Sequence, residues 1–426
     1  MSAPPQRAHR STQPAGHPRP RPATWLLLAG ILAVAANLRP IFTSLGPLID
    51  QVGASTGLGP SALGLLAAMP LLAFALISPV AAAVGNRFGA VPTLLGALVV
   101  LLIGALLRII PGTPIGLWVG SFTVGAAIAV GNVLLPSVVK AEFPQRVALM
   151  TGVYTAVLGA SASAGVGLAV PLSHLDVGGG PLGWPFALTV WALLVLPAIA
   201  LWLPQLRYAR AERREQRPSA PVPSTPRARG RSRSTVWTSA LAWQVTAYMG
   251  LQSAVFYILI TWLPTIERSQ GIGDVESGWH LFAFQFVGVA ASFTTSFLLR
   301  GPRQRLVAAV APAVTVVGVV GMLTAPTVAL LWALVAGVGS GASLVTALSL
   351  IALRTRDHVD ASSLSGMSQS LGYLFAAIGP PVLGALFAAT GSWVAPLVVI
   401  GAVAFAQLVA GLLAGRDRVV GGPTGL

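Results

Sequence analysis

Arg39 is the residue whose type and position carry the most chemistry. It stands 14 residues beyond Trp25 in an apolar run, about 21 Å along a helix that rises 1.5 Å per residue, and no acid lies within four positions of it. A guanidinium stays charged at physiological pH, so in an apolar setting it must face a wet cavity, helix dipoles or an anion. The competing reading is that it snorkels to an interface or caps nearby carbonyls. Asn37 and Pro40 flank it, and the proline, lacking an N–H, should loosen the local hydrogen-bond ladder. Asn132, Tyr154, Gln252, Tyr257, Gln369 and Tyr373 are further polar side chains set in apolar runs. Ser253 and Tyr257 are four apart and share a helix face, as do Gln369 and Tyr373. Each of these side chains could line a polar path, and each could equally tie one helix to the next. Arg39, Asn37 and the six are the candidate binding residues.

Little else could react. Asp50, Asp176, Glu267, Asp274 and Glu276 fall in connections on one side, and Glu142, Glu212, Glu215, Asp357, Asp360 and Asp417 on the other, so no carboxylate is expected inside an apolar run. His280 alone approaches such a position. With no cysteine there is no thiolate nucleophile or thiolate metal site. No phosphate-binding GxxxxGK[ST] loop, no HExxH and no GxSxG occurs, so no enzyme, metal or cofactor is expected.

The elements that position these residues are long. Hydrophobic residues make up 55% of the 426 and charged ones 9%, and the mean hydropathy is +0.79. A soluble domain carries roughly a quarter charged residues, so this is a polytopic membrane protein. Twelve apolar runs between residues 24 and 414 each reach the ~20 residues that cross a bilayer as a helix. They are continuously apolar, which excludes the alternation of membrane strands. Trp118, Trp184, Trp262 and Trp393 stand at run ends, where anchoring in the interfacial aromatic belt is expected.

The net charge of +15 resolves into topology. Twenty-three of the 26 Lys+Arg fall in connections and tails on one side, against Arg108 and Arg268 on the other and Arg39 within a run. The excess of basic residues inside then places both termini in the cytoplasm. Residues 1–23, rich in Pro and Arg, are expected to be a disordered cytoplasmic tail, not a cleaved signal peptide. A six-helix half over 24–203, a basic linker over 204–236, a second six-helix half over 237–414 and a tail over 415–426 complete the organisation. The linker's charge reads as topology signal or contact with anionic lipid, and no nucleic-acid partner is expected.

The halves show a faint repeat. A shift of 214 sets Lys140 on Arg354, Thr151-Gly152 on Ser365-Gly366, Gly165 on Gly379 and Arg39 on Ser253; a shift of 217 sets Asp50 on Glu267. With cytoplasmic termini and a basic central loop, this pattern resembles the major facilitator superfamily, over essentially the whole of 24–414. The loop signature of that superfamily survives in Gly85-Asn86-Arg87-Phe88-Gly89, with Asn86 where an acid is usual. Asn37-Leu38-Arg39-Pro40 with Gly46-Pro47, Gly131-Asn132 through Pro136 and Lys140, Gly250 through Ser253 with Tyr257 and Trp262-Leu263-Pro264, and Ser368 through Tyr373 with Gly379-Pro380 resemble the bacterial cyanate/2-nitroimidazole transporter family. The resemblance implies an all-α fold of twelve transmembrane helices, a multi-pass permease in the bacterial plasma membrane and Arg39 as carrier of an anion-binding role. The expected activity is secondary active transport of a small anionic, cyanate-like solute by alternating access. Export of drug-like aromatics such as nitroimidazoles is the alternative, and a transporter-like sensor a more distant one. Expected partners are the solute and membrane lipids, with the chain acting as a monomer.

Overall fold

The computed structural model describes residues 24–110, 114–143, 145–215, 236–299, 303–356 and 358–420. The expected tail 1–23, residues 216–235 of the expected linker and residues 421–426 lie outside them. Among the described residues, twelve helices are long and apolar enough to cross a membrane: α1 (Trp25–Thr43), α2 (Pro60–Gly85), α3 (Ala90–Leu107), α4 (Ile115–Glu142), α5 (Leu149–Gly167), α6 (Gly183–Leu206), α7 (Ala240–Ser269), α8 (Asp274–Leu298), α9 (Gln304–Thr324), α10 (Pro326–Leu353), α11 (Ser363–Thr390) and α12 (Val394–Ala414). Even the shortest, with 18 residues, extends about 27 Å, close to the ~30 Å thickness of a hydrocarbon core. Among the described residues the β structure is limited to an isolated bridge between Asp176 and Pro181. The helix of α6 continues through Pro204 to Glu215, into the stretch expected to be linker.

Because successive helices reverse direction, residues 24 and 420 end on one face, called here the terminal side, and the opposite face is the far side. On the terminal side α2 turns into α3 at Gly89, whose φ of 96° and ψ of 148° suit a residue without Cβ. On the far side a further helix, Leu45–Thr56, joins α1 to α2.

Inside the bilayer, packing relies on small residues that let backbones approach. A Cβ on Gly341 of α10 would stand 2.6 Å from the Cα of Gly288 in α8, and one on Gly104 of α3 would stand 2.8 Å from the backbone nitrogen of Val124 in α4. The first six spans meet the last six where α2 packs on α11, α5 on α8, and helix Leu45–Thr56 on α7. Gly46 lies against the Ile260 carbonyl of α7, its counterpart under the 214-residue shift, as positions on either side of a pseudo-two-fold axis must.

Two expectations change. Trp262 and Trp393, expected in an interfacial belt, are buried, their rings 5.3 Å apart; α11 docks on α7 there, where the Trp262 indole donates to the Pro380 carbonyl at 3.0 Å, and Trp393, just beyond α11, stacks on Phe387 beside it. Arg108 stands in the far-side connection at the end of α3, buried, and donates to the Ile41 carbonyl at 2.7 Å, at a break in α1. Burial lowers its guanidinium to about 10, which keeps it charged at neutral pH.

Candidate functional site

The break in α1 presents Arg39. Regular helix stops at Asn37, and Leu38 and Arg39 form a bend before Pro40–Thr43 resumes a turn. Pro40 causes this: it cannot donate to the previous turn, and its ring disfavours helical geometry at the preceding residue, which adopts φ −125° and ψ −49°. The Arg39 carbonyl accepts from the amides of Phe42 and Thr43 at 3.0 and 2.9 Å, which restarts the helix. Gly165 of α5 packs against Pro40, and the Thr43 hydroxyl donates to the Ala162 carbonyl at 3.0 Å, so the bend is fixed from outside.

The Arg39 side chain lies on the wall of a central cavity of about 430 Å³. Residues of α1, α4, α5, α7, α8, α10 and α11 form that wall, and Arg39 is the one charged side chain among them. Its Nε is buried without a hydrogen-bond partner, and no carboxylate pairs with it among the described residues. The wall also contains Asn132, Tyr154, Gln252, Tyr257, Gln369 and Tyr373, one or two from each of α4, α5, α7 and α11. Gln252 donates to the Ser253 hydroxyl at 2.7 Å and Gln369 to the Ser365 hydroxyl at 2.8 Å, so both amides are held in place. Tyr257 and Tyr373 stand edge to face at 6.5 Å, and Tyr257 contacts Phe42 and Phe256 at 5.8 and 5.1 Å.

Asn37 is elsewhere. It is buried between α1 and α6 and donates to the carbonyls of Ala33 and Leu194 at 2.8 and 2.9 Å, so its amide ties helices together and does not reach the cavity. Sequence reasoning also passed over Thr155, Phe284, Gln285 and Ser340, all on the wall. The repeat held the signal for one of them: Thr155 is the 214-shift counterpart of Gln369. Arg39 and Ser253, Thr43 and Tyr257, and Gly159 and Tyr373 are pairs of the same kind, and every member lines the cavity.

The cavity extends one way. Its wall runs toward the terminal ends of α4, α8 and α10 through Pro136, Ser296 and Leu348, whereas toward the far side it stops at Thr43, Tyr257 and Tyr373. Beyond that floor the two sets of six spans are closed against each other. Gly64 of α2 meets Pro380 of α11, and Gly46 meets Ile260. Further out, Thr265 and Arg268 at the end of α7 bond the Asp50 carboxylate of helix Leu45–Thr56: the Thr265 hydroxyl donates at 3.0 Å, the Arg268 Nε at 3.0 Å, and a terminal guanidinium nitrogen closes the ion pair.

The expectation that no acid is buried fails at Glu267. It lies in the last turn of α7 at 1% exposure, its Oε2 3.0 Å from the His280 Nδ1 of α8. Counting it as part of a connection overlooked how tightly α7 turns into α8, which folds the last turn of one helix against the first turns of the next.

Residues 26–380 match the family model of the Major Facilitator Superfamily. The chain belongs to this superfamily. Relatives include an uncharacterized transporter, YycB, of Bacillus subtilis, 39% identical over 92% of this chain and 94% of that one. A 2-nitroimidazole transporter of Escherichia coli is 39% identical over 93% and 96%, and the cyanate transport protein CynX of Escherichia coli 26% over 86% and 91%. Among solved structures, an inward-facing, unoccupied bacterial homologue of the lysosomal transporter Spinster superposes with a TM-score of 0.72 at 15% identity, covering 93% of this chain and 98% of that one. This superfamily member is thus a multi-pass membrane transporter with the superfamily's twelve-helix fold.

Proposed function

We propose that this transporter moves a small anion across the bacterial plasma membrane by alternating access, the two six-helix halves rocking about the central cavity, with Arg39 as the anchor for the solute's charge. One observation carries the reading: among the described residues, the cavity wall holds a single fixed charge, a cation with no acid paired to it. A guanidinium half out of water is stabilised by an anion that supplies the missing hydrogen-bond acceptors, and its planar fork suits a carboxylate or a linear anion such as cyanate. The bias of basic residues supports cytoplasmic termini. With that orientation the cavity faces the cytoplasm and the closed far side faces outward.

A second reading has its own support. A cavity of about 430 Å³ lies in the range of drug-sized ligands, and Met249, Phe256, Tyr257, Phe284 and Tyr373 give it soft and aromatic walls. Planar aromatic solutes of the nitroimidazole type fit such walls, and a relative at 39% identity is named for one.

Proteoliposomes separate the two. Labelled cyanate and labelled 2-nitroimidazole are each offered to the parent protein and to Arg39→Gln. The anion reading expects uptake of cyanate that the variant loses. Saturable movement of 2-nitroimidazole by both proteins, with none of cyanate by either, would replace it with the second reading.

A further inference from the structure

The far-side closure contains a group that the cavity does not use. Glu267 is 1% exposed, one of its oxygens meets the His280 Nδ1 at 3.0 Å, and the other, Oε1, is buried with no partner. A carboxylate in that setting is expensive to keep charged unless a proton resides on it or on the imidazole beside it. His280 is itself buried, its Nε2 3.8 Å from the exposed Glu276. The nearest further cation, the adjacent Arg268, is already shared between two other acids. On α7 the adjacent Arg268 points to Asp50 on helix Leu45–Thr56 and to Asp274 on α8 at 3.5 Å. The short helix Ala169–Ser173, whose Val170 packs on Gly278, carries His174 at its exposed end. The facing ends of α9 and α10 have no charged residue.

We propose that Glu267 and His280 form a proton-binding site in the far-side gate, and that closing this gate takes up one proton from the far-side solution. With the proton present, on Oε1 of Glu267 or as the imidazolium–carboxylate pair, the buried unit is neutral overall. Without it, closure would bury a net negative charge. When the halves part, helix Leu45–Thr56 and Val170 withdraw from α7 and α8, water reaches the pair, and the charged form becomes tolerable. The closed gate therefore holds one more proton than the open gate. By linkage, the closed-to-open ratio falls by up to tenfold per pH unit as the pH rises. The inference rests on the alternating-access reading only in treating this face as a gate, and its test needs no solute.

The protein has no cysteine of its own, so nitroxides can be placed on Ala54→Cys and Val275→Cys, two exposed far-side positions in opposite halves. Distances between the labels are measured by pulsed electron spin resonance in lipid nanodiscs, without solute, from pH 4 to pH 9. The expected result is a short distance at low pH giving way to a longer one as pH rises, with a one-proton slope. Glu267→Gln leaves the His280 imidazole as the titratable group of the pair, neutral at high pH, so the short distance should persist at the alkaline pH that opens the parent, and opening should come only on the acid side, where a lone buried imidazolium is disfavoured. In His280→Gln, which leaves only the carboxylate to take the proton, the midpoint should move toward acid by about 2 pH units, the gap between ordinary His and Glu behaviour. Glu276→Gln, Asp274→Asn, Asp50→Asn and His174→Gln should keep the one-proton slope. A parent-like transition in Glu267→Gln, an unmoved midpoint in His280→Gln, or label distances indifferent to pH would each overturn the proposal. In the last case, separation of the labels on adding cyanate would leave the transport reading standing.

Discussion

A single methyl group should unlatch the far side. Gly64 of α2 lies against the backbone of α11, and a Cβ built on it would stand 2.6 Å from the Pro380 carbonyl carbon and 2.7 Å from the Pro381 Cα. Both are backbone atoms of a helix stiffened by two prolines, so the neighbour cannot yield as a flexible side chain would. Overpacking of this kind costs about 1–3 kcal/mol. The contact exists only while the halves are closed on the far side, so the cost falls on that state. At 1.4 kcal/mol per tenfold, Gly64→Ala should shift the closed-to-open ratio by roughly 5- to 150-fold toward open. Ala67, buried in α2 beside the floor, becomes the reporter as Ala67→Cys, since no other cysteine reacts. Its alkylation by a membrane-impermeant maleimide from the far side should accelerate by that factor in the double variant. Gly96→Ala in α3, where the added Cβ meets nothing within 4 Å, is the control and should leave the rate unchanged. Equal rates in the Gly64→Ala and Gly96→Ala backgrounds would refute the reasoning.

Three further outcomes follow from the same geometry. Asn37→Ala should weaken folding by about 1–2 kcal/mol, because the Leu194 carbonyl loses its donor, while solute affinity in the surviving folded fraction stays within twofold; thermal unfolding and direct binding check the two halves of that statement. Asp50→Asn should raise Ala67→Cys alkylation only about two- to fivefold, since the Asp50 side chain is 42% exposed and such pairs contribute ~1 kcal/mol or less. Arg354→Ala should destabilise the second six spans: buried at the end of α10, Arg354 donates to the Ala414 and Gly415 carbonyls at 2.9 and 3.1 Å and so caps α12, and chemical denaturation should register a loss of about 2–3 kcal/mol with no change at the cavity.

How much of this was legible in the sequence depended on whether the deciding partner was local. The spans were legible, because crossing a bilayer is set by local length and apolarity. Arg39 was legible too, since a charge amid apolar neighbours is costly wherever it points, and a proline immediately after it marks a bend. Asn37 was not: it differs from Asn132 only in that the Leu194 carbonyl, 157 positions away, sits beside it. Trp262 and Trp393 stand at run ends like interfacial tryptophans, and only the docking of α11 against α7 turns them inward. Glu267 was misread for a related reason, because an acid in the last turn of a helix is exposed or buried according to what the next helix does. The 214-residue repeat, faint as a sequence match, becomes concrete in the cavity, where residues related by it line the same space.

Arg39 is where the account is most directly tested. The measurement is calorimetric titration of the parent, Arg39→Gln and Arg39→Lys proteins in nanodiscs with cyanate and with benzoate, a planar carboxylate. A charge-assisted bond from a partly dehydrated guanidinium contributes about 1.5–3 kcal/mol, so Arg39→Gln should bind the anion that the parent binds roughly 10- to 150-fold more weakly. Arg39→Lys should recover only part of that, because a point charge lacks the planar fork. Anion affinity within twofold of the parent in Arg39→Gln would contradict the central claim.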